Sequence, residues 1–171
     1  MKKNFNYLLI AFIVLFILFG LLKLTGVIGI NKTNLEKDVI KSSPDLENLE
    51  FSKSVSGNVA SLLFFNEDES KGDYRIYVKQ PGLHFGYFFR AGGTINLEDN
   101  SLIEYKVNSY EEKIFISLNK GQVSKIEIIE KGESKIVDVD RAFTYVINPN
   151  YTEIKFYEDN GNEIFPIKKS F

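Results

Sequence analysis

An all-β domain behind one N-terminal transmembrane helix is the fold class this chain predicts, and three observations predict it. The first is the almost unbroken apolar run from Tyr7 to Leu22, preceded by Lys2 and Lys3. The second is a series of short apolar and aromatic runs from Val59 onward, separated by Gly, Asn, Asp and Lys reversals. The third is the lack of any helical periodicity between those runs, which argues against a parallel sheet with helical crossovers.

The N-terminal element comes first. A bilayer core of about 30 Å takes about 20 helical residues to cross. Phe5 to Leu24 supplies them if Asn6 lies in one headgroup layer and Lys23 reaches into the other. The run is apolar all the way round, which suits lipid better than a half-buried core position. No Ala-x-Ala cleavage site follows, and there is no cysteine to carry a lipid, so the spacing predicts an uncleaved signal-anchor over residues 7–24 behind a basic segment, 1–6. Lys23, Lys32, Lys37 and Lys41 follow the run and weaken a positive-inside argument. The short basic start is nonetheless the usual opening of an export signal. The sequence thus predicts a single-pass protein of the cell membrane with its C-terminal domain extracytoplasmic.

Composition narrows the class. With no cysteine, disulfide frameworks, zinc-thiolate sites and thiol nucleophiles are excluded. Abundant Ile and only four Ala (Ala11, Ala60, Ala91, Ala142) fit an AT-rich bacterial genome. Residues 1–44 carry a net charge of +4 and residues 45–171 a net of −6. An acidic domain without a Lys/Arg-dense run is a poor match to phosphate neutralisation, so no nucleic-acid partner is expected.

Residues 25–58 read as a linker, punctuated by Gly26, Gly29, Ser42-Ser43-Pro44 and Ser52, Ser54, Ser56, Gly57. A short helix from Ser43 or Pro44 to about Leu49 fits a Ser/Pro start followed by acids. The folded unit is expected over 59–171. Strands are expected near Val59–Phe65, Asp73–Lys79, Phe85–Arg90, Leu102–Val107, Lys113–Leu118, Ser124–Glu130, Ser134–Val139, Ala142–Ile147 and Glu153–Tyr157, with a short closing strand at Glu163–Ile167. Tyr74, Ile76 and Val78 alternate onto one face, as do Ile114, Ile116 and Leu118, and Phe143, Tyr145 and Ile147. Asn160-Gly161 predicts a type I′ hairpin, and Lys120-Gly121 and Lys131-Gly132 mark further reversals. Strands of this number and length suit a single antiparallel β-sandwich, immunoglobulin-like in architecture only, or a partly open barrel.

The search for chemistry returns little. His84 is the only histidine, and no Gly-x-Ser-x-Gly elbow exists, so a Ser-His-Asp hydrolase and a multi-histidine metal site are not expected. Glu67-Asp68-Glu69, Glu98-Asp99 and Glu158-Asp159 fall at turns, where acids solvate and hydrogen-bond the backbone. Glu158-Asp159-Asn160-Gly161-Asn162 only echoes a calcium loop, and no metal or cofactor is expected. Gly92-Gly93 lacks the helix start that a phosphate loop needs.

The stretch from Lys79 to Gly93 is the most unusual. Pro81-Gly82 fits a type II turn, and Gly86 within a strand suggests a bulge or a close backbone neighbour. Alternation sets Phe85, Tyr87 and Phe89 on one side and His84, Phe88 and Arg90 on the other. An exposed aromatic beside Arg is what interfaces concentrate, so His84, Phe88 and Arg90 are the candidate contact residues. The expectation is a non-catalytic, membrane-anchored bacterial interaction domain that binds an envelope protein or polymer. The alternatives are an envelope-glycan hydrolase using paired carboxylates, with Glu104 a candidate, and a structural subunit of a membrane complex.

Overall fold

The computed structural model describes residues 2–24, 26–82, 84–96, 102–120, 122–150 and 152–170. The expected Glu98-Asp99 turn and Gly121 of the Lys120-Gly121 reversal lie outside the described residues.

The described residues are mostly β-strand, in mainly antiparallel sheets of which none closes into a barrel. The first sheet is a meander of β1 (Glu50–Ser56), β2 (Val59–Phe65), β3 (Lys71–Val78) and β4 (Phe88–Asn96), paired in that order. The remaining strands are β5 (Ile103–Lys106), β6 (Lys113–Ser117), β7 (Lys125–Glu130), β8 (Glu133–Asp138), β9 (Phe143–Ile147), β10 (Thr152–Tyr157), β11 (Glu163–Ile164) and β12 (Ile167–Ser170). They form a second sheet, β12-β5-β6-β9, and a third, β11-β10-β7-β8. β12 runs parallel to β5; every other pairing is antiparallel.

Period-two alternation decides how the sheets stack. Val59, Leu63, Phe65, Ile76, Val78 and Ile95 of the first sheet pack against Ile103, Tyr105, Ile114, Ile116 and Val146 of the second. The opposite face of the second sheet, through Phe115, Phe143 and Ile147, packs against Ile126 and Phe156 of the third. Tyr74, Ile76 and Val78 do share a face, and so do Ile114, Ile116 and Leu118. The single sandwich expected from the sequence is therefore a stack of three sheets, because the second sheet buries both of its faces.

Two hydroxyl-lined edges join the first and second sheets. The backbone N–H of Thr144 donates to Ser52 Oγ at 3.1 Å, and that of Val146 donates to Ser54 Oγ at 2.9 Å. Thr144 Oγ1 donates to the buried Ser61 Oγ at 2.7 Å. The serines of β1 thus satisfy backbone N–H groups on the outer edge of β9, and Ser61 of β2 takes the Thr144 hydroxyl.

Two expectations need correction. The segment 25–58 is not a linker throughout: it contains helix α2 (Leu35–Ser42), a 3₁₀ turn at Pro44–Leu46, and β1. Leu35 and Val39, one helical turn apart, lie with Leu46 on Ala60, Leu62, Phe64 and Tyr77, covering the outer face of the first sheet. Tyr77 Oη donates to Asp38 Oδ2 at 2.8 Å, and burial followed by that bond pushes the phenol's pKa well up. Of the helix expected from Ser43 or Pro44 to about Leu49 only the 3₁₀ turn at Pro44–Leu46 forms, and the α-helix lies before it.

The second correction concerns helix α1 (Lys2–Leu24). Among the described residues no helix is long and apolar enough to cross a membrane. The expected single-pass anchor, and the extracytoplasmic placement built on it, therefore do not stand. Large apolar side chains between Tyr7 and Phe19 are 49–74% exposed.

The reversals follow local chemistry. Lys131 and Gly132 both have positive φ, as a two-residue type I′ loop requires. At the Asn160-Gly161 hairpin only Gly161 is positive, and its N–H donates to Glu158 O at 3.0 Å. That is a type I turn followed by a left-handed glycine, a longer loop than the expected type I′.

Candidate functional site

The site is built where β3 ends and the chain loops through residues 79–87 before returning as β4. A segment from the N-terminal side holds this loop. Gly29 N–H donates to Phe85 O at 2.6 Å, Phe85 N–H to Val27 O at 2.9 Å, and Ile30 and Tyr87 exchange backbone bonds of 2.8 Å. The two backbones touch at their glycines. A Cβ on Gly86 would lie 2.8 Å from Ile30 O, and one on Gly29 would lie 2.6 Å from Tyr87 O. The close approach expected at Gly86 is thus present, and its φ of +90° suits glycine.

That glycine also overturns the expected alternation. A left-handed residue at 86 and a register shift opposite Ile76/Tyr77, where Arg90 is the extra residue, each reset the facing of the side chains. Tyr87 becomes buried, Phe88 half-buried, and the exposed aromatics are Phe85 and Phe89, at 61% and 58%. Phe89 sits edge-on to Tyr77, its cross-strand partner, with ring centroids 5.8 Å apart. Lys79 Nζ lies 5.2 Å from the centre of the Tyr87 ring, at cation–π range.

Of the three candidate residues, His84 and Phe88 are in contact, and Arg90 lies two residues beyond Phe88 on β4. His84 is exposed, and its Nδ1 lies 2.9 Å from Pro81 O. A carbonyl can only accept, so this bond puts the proton on Nδ1 and leaves Nε2 open to solvent. The His84 ring meets Phe88 edge-on at 5.8 Å. Arg90 is exposed, and its charge favours the ionised form of the Tyr110 phenol, although burial, the larger effect, pushes that phenol up overall.

His84 also lines a cleft of about 440 Å³ with residues far away in sequence: Asn58, Lys79, Tyr110, Glu111, Glu112 and Asn148. Tyr110 Oη donates to Lys79 O at 2.8 Å, and Asn150 donates to Glu111. Glu112 is only 3% exposed, and its Oε1 accepts the backbone N–H of Asn58 at 2.7 Å. Asn58 follows Gly57 in the β1–β2 hairpin, and a Cβ on Gly57 would run into the Glu112 carboxylate. This carboxylate group escaped the sequence reading. Tyr110-Glu111-Glu112 reads as a polar connection, and nothing in it signals that Glu112 is buried against a hairpin 54 positions away.

Other candidates fall elsewhere. Glu104 is buried and ion-paired to Lys113 at 3.3 Å, in a separate cleft of about 410 Å³ that Glu153 and Glu163 also line. Asp68 Oδ1 accepts Ser70 N–H at 3.0 Å, which holds its pKa below the usual carboxylate value, and Glu69 accepts Ala142 N–H. Glu158 accepts from Asn160 Nδ2 within its own turn. Among the described residues no group of three or more His, Asp or Glu is placed to hold a metal ion. No protein-family model, no curated protein and no solved structure matches this chain.

Proposed function

We propose that the chain is a non-catalytic interaction domain that binds a protein or polymer partner through the 79–90 end of its first sheet. In this reading the first and second sheets act as an antiparallel β-sandwich, immunoglobulin-like in architecture only, that holds the contact loop rigid. One observation carries the reading: Phe85 and Phe89 are both more than half exposed beside Arg90 and His84, while the Tyr87 between them is buried as an anchor. Exposing two Phe rings within five residues costs solvation, and exposed aromatics near Arg are where binding energy concentrates.

The test is site-specific photo-crosslinking in cells that make the protein, with benzoyl-phenylalanine at Phe89 and, as a control, at the exposed Ile136 of β8. A discrete adduct from position 89 and none from 136, lost when Phe88 and Arg90 are replaced by Ala, is the expected result. Equal adducts at both positions, or adducts indifferent to that replacement, sink it.

A further inference from the structure

Glu112 is a buried carboxylate that lacks a cation. Among the described residues its one hydrogen bond is the Asn58 N–H on Oε1, and no Lys, Arg or His lies within ion-pair distance. Its Oε2 has no partner, yet it is not among the sealed, unsatisfied polar atoms, so it opens onto the cleft. An ionised group withdrawn from water this far is costly unless paired. Lys79 lines the same cleft, with its ammonium 5.2 Å from the centre of the Tyr87 ring rather than on Glu112. Glu111 adds a second carboxylate to the wall.

The other walls select among cations. With no three-ligand metal cluster among the described residues, a multidentate metal ion is poorly served. Pro81 and the Tyr110 ring offer apolar sides to a hydrocarbon stem. Gln80, Asn58 and Asn148 supply amides at the rim, suited to the peptide groups that flank a side chain. We infer that this cleft is a receptor for one lysine side chain of an extended segment in a protein partner, its ammonium placed on Glu112 Oε2.

This deepens the binding reading above and rests on it, naming the partner as a protein with a basic segment. The recognition comes from one atom: Oε2 opens onto the cleft and is placed to take the partner's ammonium. Glu111, hydrogen-bonded to Asn150 and nearer the surface, contributes attraction at longer range.

The experiment is an NMR titration of the full chain with tetralysine, following the Asn58 amide, which reports directly on the Glu112 carboxylate. Saturable shifts at Asn58 and Tyr110 are expected, with affinity about ten-fold weaker in Glu112→Gln, the loss of one charge-assisted bond. The Gln oxygen still accepts the Asn58 N–H, so an unchanged spectrum away from the cleft shows that the variant folds. Ile136→Ala should leave tetralysine affinity unchanged, because this exposed residue of β8 belongs to the third sheet and does not line the cleft. Spermidine, an ammonium without peptide groups, should bind at least several-fold more weakly. Equal affinity for Glu112→Gln, or spermidine binding as tightly as tetralysine, overturns the inference. A failed titration beside a positive crosslink at position 89 removes only the lysine receptor. A positive titration with no crosslink removes the aromatic surface instead.

Discussion

β2 and β4 belong to one sheet and differ in every respect that bears on function. β2 is hydrogen-bonded on both sides, and all seven of its residues are buried, odd positions against the second sheet and even positions against α2. β4 is the outer strand of the same sheet, carries a bulge at Arg90, and buries only Ile95 fully among its nine residues. The fold keeps its stability in the middle strand and leaves the edge to present side chains. Rigidity behind and exposure in front is the arrangement a recognition surface needs, since a well-held aromatic loses little entropy on binding.

The comparison breaks or sharpens under substitution, and the largest effect belongs to β2. Leu63→Ala removes a fully buried side chain from the first core and should cost about 3–4 kcal/mol in urea unfolding. Phe89→Ala, at the exposed edge, should cost less than about 1 kcal/mol in the same assay. Equal losses at the two positions would mean that β4 is structural rather than presenting.

An intermediate effect is expected where the sheets meet. Ser54→Ala deprives the Val146 N–H of its acceptor without changing any apolar contact of note. Stranding that donor should cost about 1–3 kcal/mol and speed hydrogen exchange at Val146 specifically. A loss near zero with unchanged exchange would show that water or another group takes over the bond.

The smallest effect is electrostatic. Glu127 accepts hydrogen bonds from Ser134 Oγ and Tyr157 Oη, at 2.6 and 2.8 Å, and these, Ser134 first, hold its carboxyl below the ordinary 4.5. The folded value is depressed, so the contribution is present above about pH 4.5 and is lost as the pH falls through the lowered folded value. The partner phenol, Tyr157, is pushed up to about 12 by Glu127, so its contribution is complete below 10 and fades as the pH climbs toward 12. Both side chains are half-buried at the sheet surface and reached by solvent, and the effect is correspondingly small. Glu127→Gln should flatten the acid limb of Tm against pH between about 3 and 5, with no change near neutrality. An unaltered acid limb would assign that limb to other carboxylates.

What the sequence showed of this fold follows the same division. β2 was legible to the residue because a run buried on both faces is apolar at every position, and β6 and β9 were legible from their alternation. β1 was not. Its Glu-Phe-Ser-Lys-Ser-Val-Ser sequence reads as linker because Ser52 and Ser54 are there to accept backbone bonds from β9, and serine carries no strand signal of its own. In the 84–90 stretch His84 and Arg90 are exposed as the alternation predicts, while Phe88 is half-buried and Phe85 and Phe89 are exposed instead, since one left-handed glycine and one bulge shift the pattern. Glu112 was invisible because its meaning lies in a contact with the β1–β2 hairpin, and no local pattern encodes such a contact.

The order in which strands enter the sheets has a consequence for how the chain reaches its native state. Every pairing in the first sheet joins consecutive strands, so the meander closes through short loops at small entropic cost. Beyond Asn96 the chain shuttles: β5 and β6 enter the second sheet, β7 and β8 the third, β9 returns to the second, β10 and β11 to the third, and β12 closes back beside β5. Neither of the later sheets is complete until strands of the other have been laid down. The first sheet can therefore nucleate early and alone, whereas the other two must condense together, and any break in the chain between β6 and β9 would cost both at once.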